Sequence, residues 1–494
     1  MKAYEKLVEK YERIHHLSHM QAIVYWDWQT MMPSGSNDAR SKAMAEFGTL
    51  LHELSTEKEI GLLIKDALEE DLNEIQNASL KEIQRTYTQS TILPSDLVKS
   101  QSLAHSNCSH NWVEQRKNND WQGFSKNLKE VVKLARDEAT IRSKENGLTP
   151  YDSLLDLYEP GMRSQTLDTI FAEVKTWLPK LIKDVVEKQK SQTIVNPTGT
   201  FDTKAQKELG IEVMKHLGFD FTKGRTDVSA HPFCGGVAQD VRITTRYDEN
   251  DFIQALMGTV HETGHACYEQ GLPLELVSLP VGEARSMGIH ESQSLFFEMQ
   301  VGRSKEFLKS IQTYITKAFG DDKAFELDNL TKIYSKVESS YIRVDADEVT
   351  YAAHVILRYE IEKALINGDI EVEDIPNIWD KKMKEYLNVD TKGNFKDGCM
   401  QDVHWTEGLF GYFPSYTLGA MYAAQQFASV KKEYPNIENS IEKGDLSDIK
   451  TWLKENIWSK ASIYSTDELI KKATGESLNP KYFKEHLENR YLLN

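Results

Sequence analysis

A mainly α-helical protein with one small β-sheet is what the sequence predicts, on three observations. Proline and glycine are sparse, 13 and 27 in 494 residues. Apolar residues recur at three-and-four spacing over long stretches, the period of a helix that buries one face. One segment clearly departs from this rhythm, from His231-Pro232-Phe233-Cys234-Gly235-Gly236 into Asp240-Val241-Arg242-Ile243-Thr244-Thr245-Arg246-Tyr247. There β-branched residues alternate with polar ones, as in a strand.

The elements follow in order. The opening MKAYEKLVEKYERIHHLSHM mixes Lys, Glu and His from its second residue, so it lacks the apolar core of a signal peptide. Trp26-Asp27-Trp28, with Met31, Met32 and Pro33, reads as a packing element. Ile170, Phe171, Val174, Trp177, Leu178, Leu181, Ile182 and Val185 trace a helix that Pro179 should kink. Asn196-Pro197-Thr198-Gly199-Thr200 is a turn or loop. A helix over Ile211, Val213, Met214 and Leu217 stops at Gly218. The next carries Phe252, Leu256 and Val260 on one row and Ile253, Met257, His261 and His265 on the adjacent row, until Gly271 and Pro273 end it. No long flexible linker interrupts the chain, so residues 1–494 are read as one domain.

Composition narrows the function. With 59 Lys and Arg against 76 Asp and Glu, the net charge of −17 repels phosphate backbones and anionic lipid, which argues against nucleic acid and membranes as partners. No apolar run reaches membrane-spanning length. Cys108, Cys234, Cys267 and Cys399 lie too far apart for a metal knuckle and read as reduced thiols, which fits a cytoplasmic protein.

His261-Glu262-Thr263-Gly264-His265 is the most informative motif. On a helix the two histidines lie one turn apart on one face and can reach one metal ion. Glu262, about 100° around, can touch a metal-bound water. The row Gln254, Gly258, Glu262, Ala266 leaves space around that carboxylate; the alternative of two satisfied core histidines leaves Glu262 unexplained. A catalytic zinc takes three protein ligands and keeps a position for water. Glu291 is the third candidate, because the row Met287, Glu291, Leu295, Met299 sets its carboxylate within an apolar stripe of a second helix, where it needs a cation. A buried ion pair with Arg285 is the other explanation, and His290, on a polar row, is a weaker ligand candidate. Two antiparallel helices with a Glu completing His-Glu-x-x-His is the gluzincin arrangement.

Six segments together resemble the carboxypeptidase Taq family of zinc metallocarboxypeptidases over most of the chain. They are His231-Pro232-Phe233, Asp240 to Thr244, His261 to His265, His290-Glu291-Ser292-Gln293, Ile342-Arg343-Val344-Asp345-Ala346-Asp347, and Gly398-Cys399-Met400-Gln401-Asp402-Val403-His404-Trp405. The resemblance implies a neurolysin-like, two-lobed helical fold with a deep cleft and a homodimer. It also implies release of single residues from peptide C-termini with broad specificity. It supports His261, His265 and Glu291 as ligands of one Zn²⁺, with Co²⁺ as an alternative ion, and Glu262 as the base that activates the zinc-bound water.

Catalysis also needs a donor for the developing oxyanion. Gly398 to Trp405 supplies Gln401 and His404, and Gly411-Tyr412-Phe413-Pro414-Ser415-Tyr416 supplies the phenols of Tyr412 and Tyr416, a stretch that resembles the one bearing the Tyr and His donors of neurolysin-like peptidases; Gln401 and Tyr416 are read as substrate-binding. His404 and Tyr412 are the chosen donors; a buried Tyr and His bonded to backbone is the competing explanation for either. An exopeptidase must recognise a free carboxylate, for which a forked guanidinium is suited. Arg343 and Arg242 are the candidates. Against them stand a structured turn, in which Asp345-Ala346-Asp347 caps a helix starting near Val349, and a simple pairing of Arg242 with Asp240. Two further activities share the motif: an oligopeptidase or dipeptidyl carboxypeptidase with the same metal chemistry, and a catalytically silent helical protein holding a structural metal.

Overall fold

The computed structural model describes residues 2–229 and 232–493, so His231 of the first signature segment lies outside the described residues. Helices dominate, with one three-stranded sheet, as the apolar periodicity predicts. The helix Ser164–Gln189 continues through Pro179. The helix Thr203–Leu217 ends where expected: Gly218 takes φ +104°, a conformation open to glycine, and its N–H bonds back to Met214.

Strands β1 (Gly224–Val228), β2 (Cys234–Val237) and β3 (Asp240–Thr245) form the sheet in the order β1-β3-β2. The β2–β3 hairpin is antiparallel and turns at Ala238-Gln239, whereas β1 pairs parallel to β3. Strand β1 carried no sequence signal: Gly224-Arg225-Thr226-Asp227-Val228 holds a single large apolar residue. Pairing with β3 makes it a strand. One face of the sheet packs on the helix Ile253–Gly271, which bears the His-Glu-x-x-His residues.

Among the described residues most buried apolar side chains fall into two clusters. The larger takes in most helices and surrounds the Ile253–Gly271 helix. The smaller, with Leu7, Tyr11, Ile60, Leu63, Ile64, Leu80 and Ile83, joins the N-terminal helices and touches the rest through Leu279 and Val281. The long first helix, Ala3–Thr30, belongs to this N-terminal core at its start and lies against β2 toward its end. All four cysteines are free thiols. Among the described residues no helix is long and apolar enough to cross a membrane.

Candidate metal centre

The helix Ile253–Gly271 packs against Met287–Leu295, which Ser286 caps by accepting the Ile289 N–H at 3.1 Å. The approach is close because residue 264 is glycine: a Cβ there would stand 2.4 Å from the Gln293 carbonyl oxygen and 2.6 Å from the Ser294 Cα. Gly264 therefore brings Glu291 up to the histidines. The Glu291 Oε2 lies 3.5 Å from His265 Nε2 and 3.9 Å from His261 Nε2.

The outer nitrogens are occupied elsewhere. His261 Nδ1 bonds to Glu298 Oε2 at 2.8 Å, and His265 Nδ1 to the His290 carbonyl at 3.1 Å. Both Nε2 atoms are thereby turned inward, toward Glu291. The three ligand atoms lie within 4.8 Å of one another. Tetrahedral zinc, with bonds of about 2.0–2.2 Å, spaces its ligand atoms roughly 3.3 Å apart, so the triad fits a divalent cation. The alternative partner for Glu291 is engaged elsewhere, because Arg285 pairs with Glu82 at 2.9 Å. His290 bonds Glu269 at 2.8 Å and stacks on the His265 ring at 4.5 Å.

Glu298 had no assigned role in the sequence, although it lies two turns beyond Glu291 and so close to the same face. It sits in a π-helical turn, Phe296–Gly302, and its other oxygen accepts from Arg303 at 2.7 Å. Burial pushes its carboxyl up, but Arg303 and His261 outweigh burial and hold it at about 2. It is an anion that orients His261. Burial lowers His265 to about 4, with His290 adding. Burial works to lower His261 as well, but its hydrogen bond to Glu298 and the charges of Glu291 and Glu298 outweigh burial and raise it to about 10, so a cation entering the site must displace a proton from His261. Burial raises Glu262 to about 7, with His261 opposing and Glu291 adding. A carboxyl there can both take and return a proton near neutral pH.

A second cluster stands against Glu291. The Glu291 charge is among the influences that raise the phenols of Tyr351, Tyr412 and Tyr416, in each case after burial. His404 Nε2 bonds the Tyr416 hydroxyl at 3.0 Å, and the Tyr412 ring lies 5.7 Å from that of His404. Burial, then Arg343, lowers His404 to about 4, so it is a neutral imidazole. Its Nδ1 is buried with no hydrogen-bond partner. The loop bearing these groups is pinned by Glu362, which accepts from Tyr151 Oη at 2.6 Å, Trp405 Nε1 at 3.2 Å and the Gly411 N–H at 3.1 Å.

Arg343 joins this cluster. Its Nε and Nη2 donate to Asp402 Oδ1 at 3.0 and 2.9 Å, and its Nη1 to the Tyr351 hydroxyl at 2.7 Å. The other Asp402 oxygen accepts from Arg358 Nε at 2.6 Å. Asp347 caps as expected, accepting from the Val349 and Thr350 N–H groups, and the helix proper starts at Tyr351. Gln401 is engaged by main chain at both ends of its amide: Oε1 accepts the Arg343 N–H at 2.7 Å, and Nε2 donates to the Tyr341 and Asp397 carbonyls at 2.8 Å. It braces the arginine. Arg242 is elsewhere, on β3, forked onto Asp240 at 2.9 and 2.8 Å with its guanidinium 4.6 Å over the Trp26 ring.

The sequence matches the carboxypeptidase Taq (M32) metallopeptidase family over residues 6–491. It is 36% identical to carboxypeptidase 1 of Bacillus subtilis over 496 residues, covering 99% of this chain and 98% of that one. Thermostable carboxypeptidase 1 of Thermus thermophilus is also 36% identical, over 501 residues and the same shares. Among solved structures, Trypanosoma cruzi metallocarboxypeptidase 1 superposes with a TM-score of 0.97 at 44% identity, over 99% of each chain. The M32 carboxypeptidase from Deinococcus radiodurans gives 0.95 at 30% identity, over 99% of this chain and 98% of that one.

Proposed function

Because the chain belongs to the carboxypeptidase Taq (M32) family of metallopeptidases, we propose that it is a zinc carboxypeptidase that releases single C-terminal amino acids from peptides with broad specificity. His261, His265 and Glu291 hold the ion. Bound there, a divalent cation would polarise the scissile carbonyl and acidify a water, and cobalt has the chemistry to replace zinc.

The chain's own groups supply the rest. Glu262 takes the proton of the attacking water and returns it to the leaving amine, a task that suits a carboxyl raised to about 7. His404 and Tyr412 donate to the oxyanion; the buried Nδ1 of His404 without a partner supports this role. Tyr416 positions His404 through their hydrogen bond.

Arg343 receives the terminal carboxylate, and one observation carries this reading. A single carboxylate, Asp402, stands between two buried guanidinium groups, Arg343 and Arg358. The group keeps a surplus positive charge beside a cluster that faces Glu291. Three of the five N–H donors of Arg343 are engaged, so two remain for an arriving anion. A buried unneutralised cation is costly unless an anion comes to it. The whole chain acts as one domain with two helical lobes around the cleft, in a cytoplasmic homodimer.

Mass spectrometry of a peptide ladder tests the activity, with Arg343→Ala testing the anchor. Wild-type protein should shorten an N-terminally blocked peptide one residue at a time. Loss of a charge-assisted bond should cost Arg343→Ala roughly ten- to hundredfold in kcat/KM on free C-termini, while residual cleavage of C-terminally amidated peptides hardly changes. Equal loss on both would make Arg343 structural, and release of dipeptides would replace this activity with a dipeptidyl carboxypeptidase.

A further inference from the structure

The last residues of a chain ordinarily fray, because little holds them. Here they are built into the core. The helix Lys481–Glu488 passes into a π-helical turn, Asn489–Leu493, and three side chains of this segment converge on one fully buried carboxylate, Glu348. His486 Nε2 bonds Glu348 Oε1, while Arg490 Nη1 and Tyr491 Oη donate to Oε2 at 3.1 and 2.8 Å. Glu348 thereby fixes the direction of the Arg490 fork.

That fork meets the other π-helical turn, Phe296–Gly302. Arg490 donates to the Met299 carbonyl through Nη1 and to the Gln300 carbonyl through Nη2, the latter at 3.0 Å. The last carbonyls of a helix lack an intrahelical donor, and a guanidinium can supply one. These two carbonyls follow directly after Glu298, whose Oε2 bonds His261 Nδ1 at 2.8 Å. Arg303 holds the Glu298 carboxylate at 2.7 Å, so one arginine fixes the side chain and another the backbone beside it. The turn has no slack on its opposite side. A Cβ on Gly302 would stand 3.1 Å from both the Met257 Sδ and the Val260 Cγ1, on the helix that carries His261.

We propose that Arg490, aimed by Glu348, is a positioning residue of the metal centre: it fixes the turn that presents Glu298 to His261, and so the direction in which His261 offers its Nε2. The inference rests on the proposed zinc site. The hydrogen bond on the outer nitrogen of a metal-binding histidine sets the ring's orientation, which it can do only if its acceptor is itself held in place. A planar guanidinium can bridge two carbonyls and a carboxylate at once, whereas an ammonium is a point charge. The end of the chain, 229 residues from His261, therefore contributes to metal affinity as well as to packing.

The test uses the full-length protein, stripped of metal and reloaded. It reads zinc affinity by chelator competition, the visible spectrum of the cobalt-loaded form and the melting temperature of the metal-free form. Arg490→Ala should weaken zinc binding about tenfold and alter the cobalt spectrum, and added guanidinium ion should restore both. In a Glu298→Gln background the same change should cost no more than about twofold further, because both substitutions break one path. Arg490→Lys, which keeps a charge beside Glu348 and does not depend on the alanine variant folding, should still weaken zinc binding by about threefold or more. Tyr491→Phe, which removes one bond to Glu348 and leaves the fork on the turn, should lower the melting temperature and keep zinc affinity within about twofold. Full zinc affinity in both Arg490 variants, a loss no larger than that of Tyr491→Phe, or a loss that adds to that of Glu298→Gln would overturn the inference and make Arg490 purely structural. A wild type that binds no zinc would instead overturn the metal site itself.

Discussion

A Cβ on Gly419 would stand 2.6 Å from the Cγ and 2.8 Å from the Cβ of Glu291. The helix Pro414–Glu433 can back onto the ligand helix only because residue 419 lacks a side chain, just as Gly264 admits that helix from the opposite side. Glu291 is wedged between two glycine contacts, and its distance to the histidines depends on both.

Gly419→Ala should therefore act on the metal site as well as on the packing of this buried helix face. Overpacking of this kind costs about 1–3 kcal/mol, and relief requires Glu291 or the helix behind it to move. Chelator competition should show weaker zinc binding, together with a lower melting temperature. Unchanged affinity would mean that the site adjusts without losing its geometry.

Glu298 bonds His261 and is not among the three residues grouped as able to hold a metal. Glu298→Gln keeps the shape but removes the charge that fixes the tautomer, so zinc affinity should fall by about 10- to 100-fold. The comparison is with Glu291→Ala, which removes a ligand and should bind zinc far more weakly still. Equal affinities in Glu298→Gln and wild type would remove Glu298 from the centre.

Glu262 lies between His261 and His265 on their helix but is not among the three residues grouped as able to hold a metal. Glu262→Gln should retain zinc and its melting temperature while turnover falls by about 10²–10⁴-fold. Near-normal turnover with bound zinc would place the base elsewhere.

Asp402 links the arginine cluster to pH. Burial works to raise its carboxyl, but Arg358 and Arg343 outweigh burial and hold it well below the usual range. A carboxyl depressed in the folded protein adds stability in full above the unfolded value of about 3.9, and that stability is lost as pH falls through the folded value. Asp402→Asn should cost about 3–5 kcal/mol at pH 7 by leaving two buried guanidiniums without their anion. Denaturant titrations should show the gap to wild type narrowing below about pH 4. A gap constant with pH would mean that the carboxylate is not ionised in the fold.

The sequence by itself determined the helical class, the helix from Ile253 to Gly271, and the grouping of His261, His265 and Glu291 as a candidate metal site. These are legible because helical periodicity is local: residues one turn apart share a face in any surroundings, so a histidine or carboxylate interrupting an apolar row declares itself. The tertiary structure alone decided that Glu298 turns to His261, 37 residues away, and that Asp402 joins Arg343 and Arg358 across 59 and 44 residues. It also decided that Gln401 braces main chain, that β1 is a strand, and that Gly264 and Gly419 set the depth of the ligand helix. Such contacts join segments whose separation along the chain carries no period, so they exist only once the helices have packed.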